Sequence, residues 1–391
     1  MDTDLTPELR ELRQAVREFT TRELTKWAEV IDQTGTFPDE LWELFGRQGY
    51  HGMRLPVEFG GGGLSVAEYC LMMEEFSRCH RAFTIMSNYT SGMTPIAIAR
   101  FGTAEQKQKY LTGFAAGKFK SAFALTEPGG GSDPAAMTTK AVRKGDRWVL
   151  NGRKHYISGG HIADCIMVIA VTDSEKRARG GITAFLLDKD TPGFSVTRVD
   201  TTIASDVIKL AELTFEDCEL PDSAVLGEVG QGFKIAMGSL NNGRLNVSCC
   251  CIGAAESLLA MATEHAKQRM TFGSPLIDRQ AIQWMLVDSA IEIKAARAMT
   301  YDTLGKFLEG RDVGSAGSMC KVFCSEMVGR VSDRVVQIFG GMGVMRGFPV
   351  ERFYRDVRHY RVGEGASEIQ RIVIARDLVK TGAVVAMGGL G

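Results

Sequence analysis

The sequence has no long apolar run, no excess of charge and no cysteine pair with the CxxC spacing. Its apolar stretches, such as CIMVIAV at 165–171, are far shorter than the roughly 20 residues that a membrane-spanning helix needs. Lys and Arg together number 46 and Asp and Glu 47, so the formal net charge is -1. This balance offers no attraction for nucleic acid or an anionic membrane, and we expect the protein to bind neither.

Targeting and metal-binding patterns are also missing. The N-terminal segment MDTDLTPELRELRQ is acidic and lacks both the apolar core of a signal peptide and the Arg- and Ser-rich composition of a transit peptide. The nine cysteines are an odd number, and the six histidines are scattered without an HExxH pair. These patterns predict a cytoplasmic protein with no disulfide framework and no metal site, whose cysteines are small buried apolar residues.

The periodicity of apolar residues changes twice along the chain. Apolar residues recur at steps of three and four in the first third, where Thr103 and Gln106 form a capping-box pattern. The chain then becomes a series of short segments rich in β-branched and aromatic residues, and helical periodicity returns after GEVGQGF at 227–233. The sequence therefore predicts an α+β fold with an N-terminal helical domain (1–121), a middle antiparallel β-domain (122–229) and a C-terminal helical domain (230–391).

Four segments combine glycines with residues that could contact a cofactor. They are FALTEPGGGSDPAAMTTKA (123–141), NGRKHYISGG (151–160), QRMTFGSPLIDRQAIQ (268–283) and QIFGGMGVMRGFPVERFYRDVR (337–358). A glycine-rich turn can present backbone N–H groups to a phosphate or a heterocycle, and a Tyr with a nearby Ser can flank a flat ring. Each segment also has an ordinary structural explanation, namely a simple turn, an edge strand or a solvated charge at a helix end. The GxG of the fourth segment follows a helix rather than a strand, which argues against a Rossmann site.

Glu364 has an unusual local sequence, because Gly363 and Gly365 flank it and an amphipathic run follows. Flanking glycines allow another group to approach the backbone closely. The next segment, SEIQ (367–370), has a capping-box pattern that predicts a helix starting just after Glu364, with its N–H groups directed toward the carboxylate. Glu364 is therefore a candidate functional residue, and a structural loop carboxylate is the alternative.

Taken in order, these motifs resemble those of the acyl-CoA dehydrogenase family of flavoproteins, over nearly the whole chain and closest to its short- and branched-chain members. LTEPGGGSD and QIFGGMGVMRGFPVERFYRD are the most specific, and FGTAEQKQKYL (101–111), GQGF (230–233) and GEGASEIQRIVIAR (363–376) support them. The resemblance implies the acyl-CoA dehydrogenase-like fold, in which the C-terminal domain is a four-helix bundle. It also implies one FAD per subunit and a homo-oligomer, usually a tetramer built from two dimers.

Cofactor residues follow from the resemblance position by position. Those expected around the flavin ring are Phe123, Leu125, Thr126, Gly131, Ser132, Tyr156, Ile157 and Ser158. Those expected at the adenosine and pyrophosphate, across a dimer interface, are Arg269, Phe272, Gln280, Gln337, Gly340 and Gly341. Tyr156 stands in place of the family's usual Trp and Ser158 in place of its usual Thr. Ala366 and Glu368 replace a usual Thr or Ser and a usual Gln, which alters or removes two further cofactor contacts.

The resemblance also gives Glu364 a catalytic role, the removal of the proton α to the thioester carbonyl while a hydride leaves the β carbon for the flavin. The substrate positions are Ser132, Asn241, Arg244, Gly363 and Gly365. Gly363 stands where straight-chain enzymes often have Tyr, which should widen the pocket near the reacting carbons. We therefore expect a short, branched or cyclic acyl-CoA as substrate and an electron-transferring flavoprotein as electron acceptor.

Some departures and alternatives stay open at this level. Asn241 stands where many family members have an Asp that touches CoA, and residues 199–218 depart from the family pattern without an evident reason. An enoyl-CoA reductase, an acyl-CoA oxidase and a non-catalytic acyl-CoA-binding protein are possible on the same fold. A thioester carried on an acyl carrier protein is a further alternative to CoA.

Overall fold

The computed structural model describes residues 5–382. Its N-terminal part is helical, as the periodicity predicts. The helices are α1 Pro7–Phe19, α2 Thr25–Thr34, α3 Asp39–Arg47, α4 Val66–Ser77, α5 Arg81–Ser91, α6 Met93–Phe101 and α7 Ala104–Ala115, with a π-helical turn at Thr20–Leu24 between α1 and α2. The predicted capping box of α7 is confirmed, because the Gln106 N–H donates to Thr103 Oγ1 (3.2 Å) and the Thr103 N–H donates to Gln106 Oε1 (3.0 Å).

The middle part forms one eight-stranded sheet. Its strands are β1 Ser121–Ala124, β2 Lys140–Lys144, β3 Arg147–Ser158, β4 Cys165–Val171, β5 Ile182–Asp188, β6 Phe194–Thr201, β7 Lys209–Pro221 and β8 Val225–Leu226. The spatial order is β6-β7-β3-β2-β4-β5-β8, with β1 beside β4. The pairing is largely antiparallel, as predicted, but β4 pairs in parallel with both β1 and β2. Neither of these two strands is joined to β4 by a direct hairpin, and parallel pairing requires such longer connections.

The C-terminal part returns to helices. They are α8 Gly232–Gln268, α9 Gln280–Leu308, α10 Gly314–Phe339, α11 Pro349–Arg358 and α12 Ser367–Thr381, with a short hairpin of β9 Met270–Thr271 and β10 Ser274–Pro275 before α9. Helix α10 packs against α8, α9 and α12, so these four helices form a bundle. Met327, Val331, Val335 and Ile338 are all at most 3% exposed, which confirms the apolar face that the spacing of α10 predicts.

Helix α8 is the one helix within residues 5–382 that is long and apolar enough to cross a membrane. However, 72% of its apolar window is buried inside the protein. It packs against α4 and α10, which is the environment of a core helix. The nine cysteines are free, and eight of them are buried, as the sequence predicts.

Helix α12 begins where the sequence predicts, but the predicted capping box is wrong. Ser367 is the first helical residue rather than the N-cap, and the N-cap position is taken by Ala366, which makes no side-chain cap. Gln370 instead turns back toward the preceding loop and donates through Nε2 to the carbonyls of Glu364 (3.3 Å) and Gly365 (3.2 Å). The helix start is therefore stabilised by contacts to the glutamate loop itself.

The loop between β6 and β7 leaves the β-domain and enters the helical core. Ala204, Val207 and Ile208 are each at most 5% exposed and pack in the cluster formed by the N-terminal and C-terminal helices. This position accounts for the small or apolar side chains at 204, 207 and 208, because the loop enters a closely packed interior there. The rest of the departure within residues 199–218 has no structural explanation.

Polar contacts around Asp32 fix this loop to the helices. The Ser205 hydroxyl donates to Asp32 Oδ1 (3.2 Å), and the Ser205 N–H donates to Asp356 Oδ1 (2.8 Å). Asp32 also pairs with Arg352 and accepts a hydrogen bond from His80 Nε2 (3.0 Å). Burial acts to raise the pKa of Asp32, but His80 and Arg352 outweigh it and lower that pKa to about 2. The N-terminal helices, the β-domain and α11 thus meet at one ionised carboxylate.

We predict that Asp32→Asn destabilises the protein by about 2–4 kcal/mol, because it leaves the buried Arg352 without its counter-ion. The melting temperature of the FAD-loaded protein measures this effect. Asp302→Asn is the matched control, since the Asp302 side chain is 61% exposed and pairs with Lys306; its effect should stay within about 0.5 kcal/mol. Equal melting temperatures for the two variants would contradict the role of Asp32.

Candidate active site

The carboxylate of Glu364 is held in a strained backbone position and faces inward. Its φ of 56° lies in the left-handed region, which non-glycine residues adopt rarely and at a cost of about 1–3 kcal/mol. The residue as a whole is partly accessible, but its Oε2 atom is buried and has no hydrogen-bond partner among the described residues. A buried carboxylate oxygen without a partner is costly for folding, and this is typical of a group kept for a ligand.

Gly363 and Gly365 lack room for a side chain for different structural reasons. Gly365 has a φ of 90°, and a Cβ at this position would overlap Gln370 Nε2. Its carbonyl accepts a hydrogen bond from Nζ of the buried Lys321 (2.8 Å). A Cβ on Gly363 would lie 2.6 Å from His359 Nε2. The imidazole of His359 therefore occupies the direction that a side chain at 363 would take. The expectation that Gly363 widens the pocket near the reacting carbons stays a prediction.

Helix α8 packs directly against the Glu364 carboxylate at Gly243. A Cβ added to Gly243 would overlap Glu364 Oε2, so only glycine leaves room for the carboxylate at this point of α8. The next residue, Arg244, donates through Nη1 to Ser318 Oγ (3.0 Å) and to the Gly314 carbonyl (3.4 Å) at the start of α10. Asn241 lies one turn earlier in α8, and its side chain is outside the described residues.

The pKa of Glu364 is raised to about 7. Burial is the main cause, because removing a carboxylate from water disfavours its charged form. Lys321, Arg244 and Arg81 act in the opposite direction and keep the rise moderate. The pKa of His359 is lowered well below its ordinary value by Arg81, by burial and by Lys321, so its imidazole is uncharged at neutral pH. Glu364 can therefore exchange a proton near physiological pH.

The residues expected around the flavin ring gather at one end of the β-domain. Leu125 and Thr126 follow β1, and their carbonyls accept hydrogen bonds from Lys154 Nζ and the His155 N–H, both at 2.9 Å. Tyr156 follows at once with a φ of 59° and a side chain that is 57% exposed. Phe123 lies in β1, Gly131 and Ser132 are exposed in the loop after Thr126, and Ser158 is exposed at the end of β3. The Ile157 side chain is buried in the β-domain core, so only its backbone faces this region.

The residues expected at the adenosine and pyrophosphate lie just after α8, at the start of α9 and at the end of α10. The ring of His265 stacks on Phe339 at 4.1 Å, which brings the chain leading into Arg269 against the chain leading into Gly340. Phe272 is 100% exposed in this single chain. Gln280 opens α9, Gln337 lies in the last turn of α10, and an added Cβ on Gly340 or Gly341 would meet open space. Ala366 and the exposed Glu368 lie at the start of α12.

Family models identify this arrangement. The N-terminal, middle and C-terminal domain models of acyl-CoA dehydrogenase match residues 6–118, 122–218 and 230–379. The chain belongs to the acyl-CoA dehydrogenase family. Members of this family are FAD-dependent oxidoreductases, which confirms the resemblance seen in the sequence, the fold class and FAD as the cofactor. The domain limits 1–121, 122–229 and 230–391 stay a prediction.

Individual relatives are similar over their full lengths. An acyl-CoA dehydrogenase of Bacillus subtilis is 38% identical and covers 94% of this chain and 97% of its own. An NADH-dependent acryloyl-CoA reductase of Anaerotignum propionicum is also 38% identical, over 97% of this chain and 96% of its own. The solved structure of butyryl-CoA dehydrogenase from Megasphaera elsdenii, at 34% identity, superposes with a TM-score of 0.91 over 97% of this chain and 100% of that one.

The residues present fit FAD, as membership of the acyl-CoA dehydrogenase family implies. The loop with Gly129 and Gly130 and the turn with Gly340 and Gly341 are exposed backbone on which an added Cβ would meet nothing. Such backbone can approach a pyrophosphate or a ring edge closely. The exposed Tyr156 and Phe272 are large apolar surfaces that a lone chain leaves in water, as expected if a cofactor or a second chain covers them.

Four residues of this site were not singled out from the sequence, namely Arg81, Gly243, Lys321 and His359. Lys321 carried a signal, because it is a cation on the apolar face of α10, three residues before the buried Cys324 and seven before Val328. Arg81 and His359 carried none, since only the tertiary fold brings them to Glu364.

Gly243→Ala should lower the rate of flavin reduction by acyl-CoA about 10- to 100-fold, because the new methyl group displaces the carboxylate and misplacement by about 1 Å is that costly. Stopped-flow absorbance measures the rate. Gly238→Ala on the same helix is the control, since its added Cβ meets open space. A normal rate in Gly243→Ala would show that the carboxylate does not need its observed position.

Glu364→Gln should make the protein more stable at high pH. The raised pKa means that the folded state holds a proton that the unfolded state releases, so the wild-type protein loses stability as pH rises from about 4.5 to about 7. The variant should gain up to about 3 kcal/mol over wild type above pH 7 and little near pH 4.5. Melting temperatures of both FAD-loaded proteins between these values measure the gain, and a difference that does not change with pH would contradict it.

Proposed function

We propose that this protein catalyses the α,β-dehydrogenation of an acyl-CoA, with Glu364 as the base that removes the α proton. The observation that carries the proposal is the buried, unpartnered Oε2 of Glu364, in a loop that only glycines on both sides permit. A base with a pKa near 7 combines a large ionised fraction at neutral pH with useful strength. A carboxylate that had a purely structural role would have partners for both of its oxygens.

The backbone near Glu364 supplies a second element of the chemistry. Among the described residues the Glu364 N–H makes no hydrogen bond, so it is free to donate to the thioester carbonyl. Such a donor stabilises the negative charge that develops on the carbonyl oxygen as the α proton leaves, and is typically worth about 3–4 kcal/mol of transition-state free energy. Lys321 fixes the loop by holding the Gly365 carbonyl at 2.8 Å. FAD, when bound, supplies the acceptor for the hydride that leaves the β carbon.

Leu125, Thr126, Ser132, Tyr156 and Ser158 would hold the flavin ring. The adenosine and pyrophosphate would contact the second group of residues, in which Arg269 offers the charge and Gly340 and Gly341 offer close backbone. We propose that a second copy of the chain completes this part of the site. Met270, Phe272, Trp284, Val344 and Met345 are each at least 57% exposed, and a contact with another subunit would cover them. A tetramer built from two dimers is the assembly we expect, in the cytoplasm.

The acyl group we propose is short, branched or cyclic, and reduced flavin would pass its electrons to an electron-transferring flavoprotein. The resemblance to short- and branched-chain family members supports this acyl group, whereas the space beside Gly243 is taken by the Glu364 carboxylate and that beside Gly363 by His359. CoA rather than a carrier protein is the form of the thioester that we propose, because Arg244 matches the family position that contacts CoA. Arg244 is half-buried in α8 and contacts the start of α10.

Reduction of an enoyl-CoA is the second candidate reaction, because one relative is named as an acryloyl-CoA reductase, and reduction is the reverse of dehydrogenation. Steady-state assays decide among the alternatives. Activity with an artificial electron acceptor but not with oxygen supports a dehydrogenase, rapid oxygen consumption supports an oxidase, and NADH oxidation driven by an enoyl-CoA supports a reductase. A protein that binds acyl-CoA and FAD without any of these reactions is a non-catalytic homologue.

Glu364→Gln should slow the bleaching of the flavin by acyl-CoA by about two to four orders of magnitude, because removal of a positioned base has an effect of this size. Anaerobic mixing of the FAD-loaded protein with straight, branched and cyclic acyl-CoAs, followed near the oxidised flavin maximum, measures the rate and the acyl preference together. FAD content and acyl-CoA binding should stay normal in the variant.

Glu309→Gln is the matched control for this experiment, since the Glu309 side chain is 67% exposed at the end of α9. It should bleach at the wild-type rate. If Glu364→Gln also did so, another residue would have to be the base.

A further inference from the structure

The pocket around Glu364 holds more positive charge than the proposed reaction needs. Arg81, Arg244 and Lys321 all act electrostatically on Glu364, and Arg81 and Lys321 also act on His359. The carboxylates that act on Lys321 are Glu364 itself and Glu368, which is exposed on α12. Among the described residues, three cations therefore act on the Glu364 carboxylate.

Two of these cations have partners within the protein. Nη1 of Arg244 donates to Ser318 Oγ and the Gly314 carbonyl, and Lys321 Nζ donates to the Gly365 carbonyl. These hydrogen bonds fix the loop that contains Glu364 and join α8 to the start of α10. Arg81 differs from both.

Arg81 is 8% exposed, and its side chain makes no hydrogen bond and no ion pair within residues 5–382. Its Nη1 is buried and unpartnered, and its guanidinium lies over the ring of Tyr360 at 5.2 Å. The buried arginines Arg13 and Arg352 each pair with a carboxylate, and so does Arg297, whose side chain is 11% exposed. A buried guanidinium without a counter-ion is strongly unfavourable, so Arg81 is placed to receive an anion.

The position of Arg81 is fixed by its neighbour. His80 caps α5, since its Nδ1 accepts from the Ala82 N–H (2.9 Å) while its Nε2 donates to Asp32 (3.0 Å). Arg81 is thus the first residue of a helix whose start is tied to the network that joins the three parts of the chain. Asp356 lies nearby, but it accepts from the Ser205 N–H and forms no ion pair with Arg81 among the described residues.

We propose that Arg81 binds a second carboxylate on the acyl group, so that the substrate is the CoA thioester of a short dicarboxylic acid. The inference rests on the proposed function, because the reacting α carbon has to lie at the Glu364 carboxylate. The side chains of Tyr360 and Cys250, which lie near Arg81, are only 6% and 3% exposed. The electrostatic influence of Glu364 reaches Cys250, and that of Arg81 reaches both Cys250 and Tyr360, so these groups share one region.

The phosphates of CoA are the other possible source of an anion. They are strongly hydrated and belong at the open end of a binding site, whereas Arg81 lies among residues that are nearly inaccessible. A guanidinium suits a carboxylate in particular, because its parallel N–H groups can make two hydrogen bonds to the two oxygens. His359 does not compete for this anion, since its imidazole is uncharged beside Arg81.

Binding measurements on the Glu364→Gln protein test the inference without turnover. The probes are CoA thioesters of dicarboxylic acids of increasing chain length, each compared with the same thioester whose free carboxylate is a methyl ester. One acid of suitable length should bind roughly 10- to 100-fold more tightly than its ester, as expected for a hydrogen-bonded charge pair. Adding Arg81→Met should remove this preference and leave the affinity for the esters and for free CoA unchanged.

Further variants keep the result interpretable. Arg81→Lys should keep part of the preference, and it replaces Arg81→Met if that variant does not fold. Arg47→Met, at a side chain that is 63% exposed on α3, should change nothing. Equal affinity for acid and ester in the protein with Arg81 would overturn the proposal, and so would an Arg81→Met variant that weakens free CoA and every thioester alike.

Flavin bleaching separates this inference from the proposed function. If the neutral esters bleach the flavin as well as the acids do, the dehydrogenase function stands and the role of Arg81 is wrong. If the acids bind through Arg81 but none of the thioesters bleaches the flavin, the dicarboxylic specificity stands and dehydrogenation is wrong.

Discussion

The architecture of this site depends on keeping one carboxylate ionisable in a buried place without giving it a permanent partner. Within residues 5–382 Glu364 Oε2 has no hydrogen-bond partner, the backbone of Glu364 is in the left-handed region, and the pKa of its carboxyl group is about 7. Each of these features is unfavourable for folding, and together they cost several kcal/mol. The surrounding helices have to supply that free energy. The long apolar helix α8, packed against α4 and α10 and largely buried, contributes to this.

The position of the Glu364 carboxylate explains several individual residues in the sequence. Gly243 is needed because a methyl group there would occupy the space of Oε2, and Gly365 because Gln370 packs against it with φ at 90°. Lys321, a cation in the middle of an otherwise apolar helix face, holds the Gly365 carbonyl. Three separate segments of the chain are thus constrained by the position of one side chain, which is the usual arrangement where a reactive group must be placed accurately.

Much of this could be predicted from the sequence, because the relevant signals are local. The change from helical to strand periodicity, the capping box at Thr103 and the glycines beside Glu364 are each read within a few residues, and ordered motifs identified the family. The prediction of a capping box at the start of α12 was wrong, although it also rested on local spacing. Ser367 and Gln370 have the capping-box spacing, but Gln370 binds the glutamate loop instead of the N-cap. Arg81 and His359 could not be assigned, since they reach Glu364 only through tertiary packing, and the space beside Gly363 could not be judged without His359.

The loop between β6 and β7 has a further consequence for how such enzymes can be recombined. Ala204, Val207 and Ile208 belong to the β-domain in sequence but to the helical core in packing, and Ser205 is bonded to Asp32 and Asp356 on two different helices. A chimera that exchanged the β-domain with that of a relative would place the relative's β6–β7 loop in this helical core, where its side chains would not match the surrounding helices. The recombination boundary that preserves packing therefore does not follow the domain limits, because the tip of this loop has to be inherited together with the helices that enclose it.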